Sequence, residues 1–344
     1  MPTNSASSAA LPPPSAVRGL LVWHQGALGD LLLAGPAFQA LRRRYSRSRL
    51  AAVGHPGRWA LYAPTLGLDE IYDGGDALWG ALYTGDGPLP PALAERLAGV
   101  DLALIFTPRE DPAFLARMGE SDRRAALWAP SFPETGSESV AALQARRLAL
   151  LGLPYVPAPL RLTLDAAAQA EARALLAGDG PWLAVAPGSG NPLKNWPLSH
   201  YFEVSRALAW EFKLSVVWCA GPAEHAWLPY LAGLAAAQGH VLAAGFPLPI
   251  LAALLSRCRL YLGGDSGLTH LAAAAGAGRV LALFGPTSPA VWAPLGDRVT
   301  VLQAPCELAP CAMGRQITCD RARCLEALPA ETVYEAARTL LKRG

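Results

Sequence analysis

No stretch of this 344-residue chain reaches the roughly 18 uninterrupted apolar residues that span a bilayer, because Gly, His, Asp or Arg interrupts each hydrophobic segment. No helix is therefore expected to cross a membrane. Residues 1–16 are rich in Ser, Ala and Pro and lack the basic start and apolar stretch of a secretory signal, so they read as a disordered leader and export is not indicated. Charge is also scarce: 16% of residues are charged and the formal net charge is +2, which gives no global pull toward nucleic acid or membrane. Nucleic acid is not expected as a partner, and attraction to any anion must come from local clusters such as Arg42, Arg43, Arg44, Arg47 and Arg49. No C-x-x-C pair occurs among the six cysteines. Cys219 and Cys258 lie in apolar surroundings and read as small buried hydrophobes, whereas Cys306, Cys311, Cys319 and Cys324 crowd one short segment. That quartet reads either as packing thiols with an occasional disulfide or as a structural metal site, and a cytoplasmic, reduced chain is expected.

Hydrophobic residues make up 52% of the chain, enough for substantial cores, and the length exceeds the size at which a single core stops growing. Two α/β domains follow. Leu20–His24 is a short apolar run ending in Gly26-Ala-Leu-Gly29-Asp30, after which Leu31, Leu32, Ala34, Phe38 and Leu41 recur at helical spacing. Runs at 49–54 and 100–106 continue the alternation, and a helix is predicted near 137–151. The proline-rich segment 152–159 then interrupts the pattern. The second half restarts with strands at 182–186, 214–219, 259–262 and 279–284 and helices at 199–212 and 267–275. The predicted division is a leader at 1–16, an N-terminal domain at 17–155, a C-terminal domain at 156–328, and a final helix at 329–344 packing near the domain junction. The fold class is α/β, with two Rossmann-like doubly wound parallel-sheet domains facing across a cleft, where ligands bind beyond the carboxyl ends of the strands.

Gly263-Gly264-Asp265-Ser266-Gly267-Leu268-Thr269-His270 follows an apolar run and opens an Ala-rich helix. Backbone N–H groups, a helix dipole and glycines that permit close approach suit a diphosphate; an Asp or Ser cap with a packing glycine is the alternative. Pro187-Gly188-Ser189-Gly190-Asn191 with Lys194 forms a second glycine loop, whose ammonium suits a departing phosphate or is a solvated loop lysine. Glu224 either accepts hydrogen bonds from ribose hydroxyls or answers a helix dipole. Asp30, at the strand-to-helix turn, is either a general base or an N-cap.

Taken together, Gly26-x-x-Gly29-Asp30, Pro187-Gly-Ser with Lys194-x-Trp196-Pro197, and Gly264-Asp265-Ser266-Gly267-Leu268-x-His270-Leu271-Ala272 followed by Leu283-Phe284-Gly285-Pro286-Thr287 resemble glycosyltransferase family 9, the ADP-heptose:lipopolysaccharide heptosyltransferases. The resemblance covers nearly the whole chain after the leader. It implies a GT-B fold, with acceptor binding mainly in the N-terminal half and nucleotide sugar mainly in the C-terminal half. It further implies inverting, metal-independent transfer of heptose from ADP-heptose, or a related nucleotide sugar, to a lipopolysaccharide core acceptor, with no cofactor.

Carried onto this chain, the resemblance makes Asp30 the general base and places the phosphate loop at Ser189 and Gly190 with Lys194. Glu224 becomes the nucleotide-contacting acid, and the diphosphate and sugar contacts fall on Asp265, Ser266, Gly267, Leu268 and His270. Gly29, Arg42 and Arg43 are the acceptor-side candidates; the arginines also read as cations complementing a helix end. No Asp-x-Asp pair is present to hold a metal near the donor. The expected form is a monomer in the cytoplasm, in peripheral contact with the inner membrane. Rival readings are a transferase of the same fold with another sugar or glycan, a non-catalytic nucleotide-sugar-binding protein, and, more distantly, a dinucleotide oxidoreductase, which Gly26-x-x-Gly29 serves poorly because it lacks the full G-x-G-x-x-G pattern.

Overall fold

A computed structural model of the chain describes residues 10–84, 87–121, 123–134, 138–176, 180–307, 311–313, 316–317 and 319–343. The chain groups into two compact units: 1–26, 34–133 and 140–157 form the first, and 27–33, 134–139 and 158–344 form the second.

The first unit is built on five parallel strands, β1 (Gly19–His24), β2 (Arg49–Gly54), β3 (Glu70–Asp73), β4 (Leu102–Thr107) and β5 (Ala125–Pro130), in the order β3-β2-β1-β4-β5. β1 is buried along its whole length, as a parallel strand covered on both faces must be, and this explains its unbroken apolar sequence. One face packs Leu21, Trp23, Ala103 and Ile105 against Trp79, Phe114 and Met118.

The second unit carries six parallel strands, β6 (Trp182–Ala186), β7 (Ser215–Ala220), β8 (Val241–Ala244), β9 (Cys258–Gly264), β10 (Val280–Phe284) and β11 (Val299–Gln303), in the order β11-β10-β9-β6-β7-β8. The chain winds outward from β6 to β8, then returns to the other side of β6 and winds outward again from β9. The order therefore reverses between β6 and β9, and loops leaving the carboxyl ends of those two strands diverge to open a crevice.

Four strands that apolar runs do not announce are β3, β5, β8 and β11. Each is a sheet edge with a single strand partner and only partial burial, so its residues need not be apolar throughout. The helix expected to run on from Asp30 is instead two, Leu28–Leu33 and Gly35–Arg44. Pro36 lies in the first turn of the second, where a missing N–H costs nothing; inside one continuous helix it would remove a hydrogen bond. The leader also needs correction. Residues 1–9 lie outside the described residues, but 10–16 are packed: Leu11 is buried and its N–H donates to Leu151 O at 2.8 Å, and the Tyr45 hydroxyl donates to Pro12 O at 2.8 Å.

The helix Ala330–Lys342 places Val333, Ala337, Leu340 and Leu341 in the core of the second unit and packs on the helix Leu198–Phe212, to which Arg338 is tied by an ion pair with Glu211 at 2.9 Å. Its apolar stripe completes the core of its own unit. Leu341→Ala is expected to destabilise the protein by about 2–5 kcal/mol in urea unfolding. Thr332→Ala, on the exposed face of the same helix, should stay within about 0.5 kcal/mol of the parent.

Candidate functional site

The loops after β6 and β9 border a cavity of about 300 Å³, lined by Gly190, Asn191 and Lys194 after β6, by Asp265 and Ser266 after β9 with Gly267 and His270 of the helix Gly267–Ala275, and by Ala27 with Gly29, Asp30 and Leu33 of the helix Leu28–Leu33. Thr287, Trp292 and Ile317 complete the wall. All of these residues belong to the second unit, which includes 27–33.

Asp30 reaches the cavity because its helix packs against the helix Gly267–Ala275. The two approach closely where each has a glycine. A Cβ on Gly267 would lie 2.9 Å from Leu28 Cβ, and one on Gly29 would lie 3.2 Å from His270 Cδ2. Gly29, expected as an acceptor contact, thus also serves as the close-packing point that seats Asp30. Asp30 is buried, is the third residue of its helix rather than its cap, and its Oδ2 accepts from the Ala27 N–H at 3.1 Å, half of a capping-box arrangement.

The Lys194 loop is held by local hydrogen bonds. Ser189 Oγ lies 2.6 Å from Asn191 O and 2.9 Å from Asn195 Oδ1, and Asn191 Oδ1 accepts from the Leu193 N–H at 3.0 Å, shaping the turn Pro192–Lys194. Trp196 anchors the end of the loop: buried, it donates from Nε1 to Leu328 O at 3.0 Å and meets Tyr201 edge-on. From this base Lys194 Nζ reaches Asp265 Oδ2 at 3.1 Å, and Thr287 Oγ1 donates to the same oxygen at 2.7 Å. Asp265 lies at the end of β9 directly after Gly264, where a Cβ would come within 3.1 Å of the Lys194 carbonyl.

Several expected residues hold other places. Ser189 is buried and shapes the loop without lining the cavity. Glu224 is buried, and its carboxylate accepts from the Gly188 N–H at 2.9 Å and the Gly221 N–H at 2.7 Å. It joins the loops after β6 and β7 and does not line the cavity. Ser266 occupies the N-cap of its helix without a side-chain cap bond, so the capping alternative is not realised. Leu268 is half-buried and also lies off the cavity wall. Arg42 closes the end of its own helix, donating to Ser48 O at 2.6 Å and Ser46 O at 3.0 Å. Arg43 is exposed in the first unit and does not line the cavity either. Thr287 closes the Leu283-Phe284-Gly285-Pro286-Thr287 motif but was not singled out as a site residue, and Trp292 and Ile317 carried no signal, because they come from the helix Pro289–Trp292 and the strand Gln316–Ile317, distant in sequence from the glycine loops.

The cysteines divide as expected for Cys219 and Cys258, whose thiols burial pushes up, the first to about 12. Cys311 and Cys319 approach to 3.5 Å. Among the described residues Cys306, Cys311, Cys319 and Cys324 do not form a metal-ligand set.

His270 sits beneath Gly29, and burial pulls its pKa down to about 4, with Lys194 adding to the depression and Asp265 opposing it. The folded-state pKa lies below the ordinary 6.5, so the unfolded chain binds the proton first. Stability is therefore expected to fall as pH drops through the window from about 6.5 to about 4, by roughly 3 kcal/mol from this residue. His270→Gln should remove that share of the pH dependence in urea titrations at neutral and acid pH; an unchanged slope would refute the assignment.

The sequence profile described as glycosyltransferase family 9 (heptosyltransferase) matches residues 136–319, just over half of the chain. Over 132 residues the chain is 32% identical to lipopolysaccharide heptosyltransferase 2 of Escherichia coli K12, a stretch covering 37% of this chain and 38% of that relative. The match thus spans less than two fifths of the relative's length. A family 9 glycosyl transferase of Veillonella parvula superposes with a TM-score of 0.78 at 20% identity, over 95% of this chain and 98% of that one. The structure of E. coli ADP-heptose lps heptosyltransferase II superposes with a TM-score of 0.70 at 20% identity, over 94% of this chain and 99% of that one. At such identities the likeness speaks to fold, and the fold is GT-B. By the extent of the profile match, the chain belongs to glycosyltransferase family 9.

Proposed function

We propose that this chain is an inverting, metal-independent heptosyltransferase that moves heptose from ADP-heptose to a sugar hydroxyl of the lipopolysaccharide inner core, working in the cytoplasm at the inner face of the inner membrane. The observation that carries the reading is that the Asp30 carboxylate and the Lys194 ammonium line one cavity with the glycine turn after β9. Similarity to the E. coli proteins known as lipopolysaccharide heptosyltransferase 2 and ADP-heptose lps heptosyltransferase II supports the choice of sugar and acceptor.

In a single displacement, Asp30 takes the proton of the acceptor hydroxyl as its oxygen attacks the anomeric carbon. ADP leaves from the opposite face, which inverts that carbon. Charge then develops on the departing diphosphate, and Lys194 meets it. In the structure the ammonium is paired with Asp265, so donor phosphate must draw it from that carboxylate or share it. Asp265, also bonded by Thr287, acts by positioning Lys194. Gly190, Ser266 and Gly267 give the diphosphate close backbone approach, and Ser189 and Glu224 hold the loops that carry it. His270, kept neutral by burial, adds no charge that would compete for Asp30.

Asp30→Asn keeps an acceptor for the Ala27 N–H and is expected to lower kcat about 10²- to 10⁴-fold in an ADP-release assay, with ADP affinity little changed. Turnover near the parent rate would exclude Asp30 as base. Lys194→Ala is expected to weaken ADP binding and slow turnover together, and EDTA should leave the rate unchanged; strict dependence on a divalent cation would overturn the metal-independent mechanism.

A further inference from the structure

The sheet of the second unit carries a basic cavity at the end opposite the donor turn. Arg259 stands at the start of β9, Arg279 just before β10 and Arg298 just before β11, so three adjacent parallel strands each bring an arginine to the same edge. These three side chains, with Gly278, Asp297, Leu340 and Leu341, line a cavity of about 450 Å³. β9 runs from this edge to Gly264, so a strand length of roughly 20 Å separates the cavity from the donor turn.

The three guanidiniums differ in their partners. Arg259 donates from Nη2 to Leu341 O at 2.8 Å, fixed by the carboxyl end of the last helix. The side chains of Arg279 and Arg298 have no hydrogen-bond or ion-pair partner among the described residues, and Asp297, which also lines the cavity, pairs with neither. Gly278 packs directly on the backbone of β9, where a Cβ would meet the Arg259 carbonyl oxygen at 2.6 Å. One acidic residue lines the cavity with three arginines, and exposed Lys342 and Arg343 follow directly on Leu341. In a chain whose formal net charge is +2, this is a concentrated positive site.

We propose that this cavity binds a phosphate group. Planar guanidinium forks match the several acceptor oxygens of a phosphate, and an anion lodged among three like charges relieves their mutual repulsion. Two sources share that chemistry, free phosphate and the headgroup of an anionic phospholipid. The site does not depend on the transferase reading.

The experiment compares the full-length protein with Arg279→Gln/Arg298→Gln, two residues outside the donor cavity. Thermal stabilisation is titrated with inorganic phosphate, and flotation is measured with phosphatidylcholine vesicles with and without phosphatidylglycerol. Phosphate stabilisation weakened about tenfold or more in the double variant, with stabilisation by ADP unchanged, supports the site with free phosphate as its ligand. Flotation with anionic vesicles alone, weakened by added salt and lost in the double variant, supports it with the lipid headgroup as its ligand. If parent and variant respond equally to both probes, or if the parent responds to neither, the proposal is overturned. The urea midpoint of the double variant, expected to match the parent, separates loss of the site from loss of the fold.

Discussion

The close crossing of the helix Leu28–Leu33 on the helix Gly267–Ala275 is the constraint on which the candidate site rests. A side chain at Gly267 would drive into Leu28, and one at Gly29 would press on His270. With hydrogen at both positions the helices pack directly, and Asp30 is held beside the turn that follows β9. The burial of His270 is part of the same contact. Its imidazole fills the space under Gly29 and loses its charge as a consequence, so a packing requirement sets the electrostatics of the cavity wall.

Charge in the cavity is held by partners and not by solvent. Asp265 receives Lys194 and Thr287 on one oxygen, and its side chain is 9% exposed against 22% for Lys194. The pair is thus screened unevenly, with the carboxylate deeper and the ammonium nearer the open space where an anion would enter. Such an arrangement orients a lysine while leaving it able to exchange one anionic partner for another. Glu224 illustrates the contrast. Fully enclosed, its two oxygens take loop amides on either side, and its contribution is the shape of the loops.

Much of this was legible along the chain. The interior strands β1, β6 and β10 are continuous apolar runs because both of their faces are covered, and the glycine turns after β6 and β9 stand out because close approach excludes side chains there. The order Gly29-Asp30, Lys194-x-Trp196-Pro197 and Gly264-Asp265-Ser266-Gly267 is specific enough to carry the family resemblance. Less legible were the edge strands β3, β5, β8 and β11, whose single partners relax the demand for apolar residues, and the break at Pro36, where short-range periodicity alone suggests one helix.

Sequence by itself determined the class of fold, the loops that bear polar chemistry and the residue types they offer, because these follow from local pattern and from what glycine alone permits. Only tertiary structure decided which polar groups meet. Asp265 is joined by Thr287 across 22 positions and by Lys194 across 71, and Glu224 takes the Gly188 N–H across 36, while Arg42 turns to backbone groups nearby. A polar side chain on a flexible loop has many partners open to it in the unfolded chain, and the choice among them is made by the packing of distant elements, which no local pattern records.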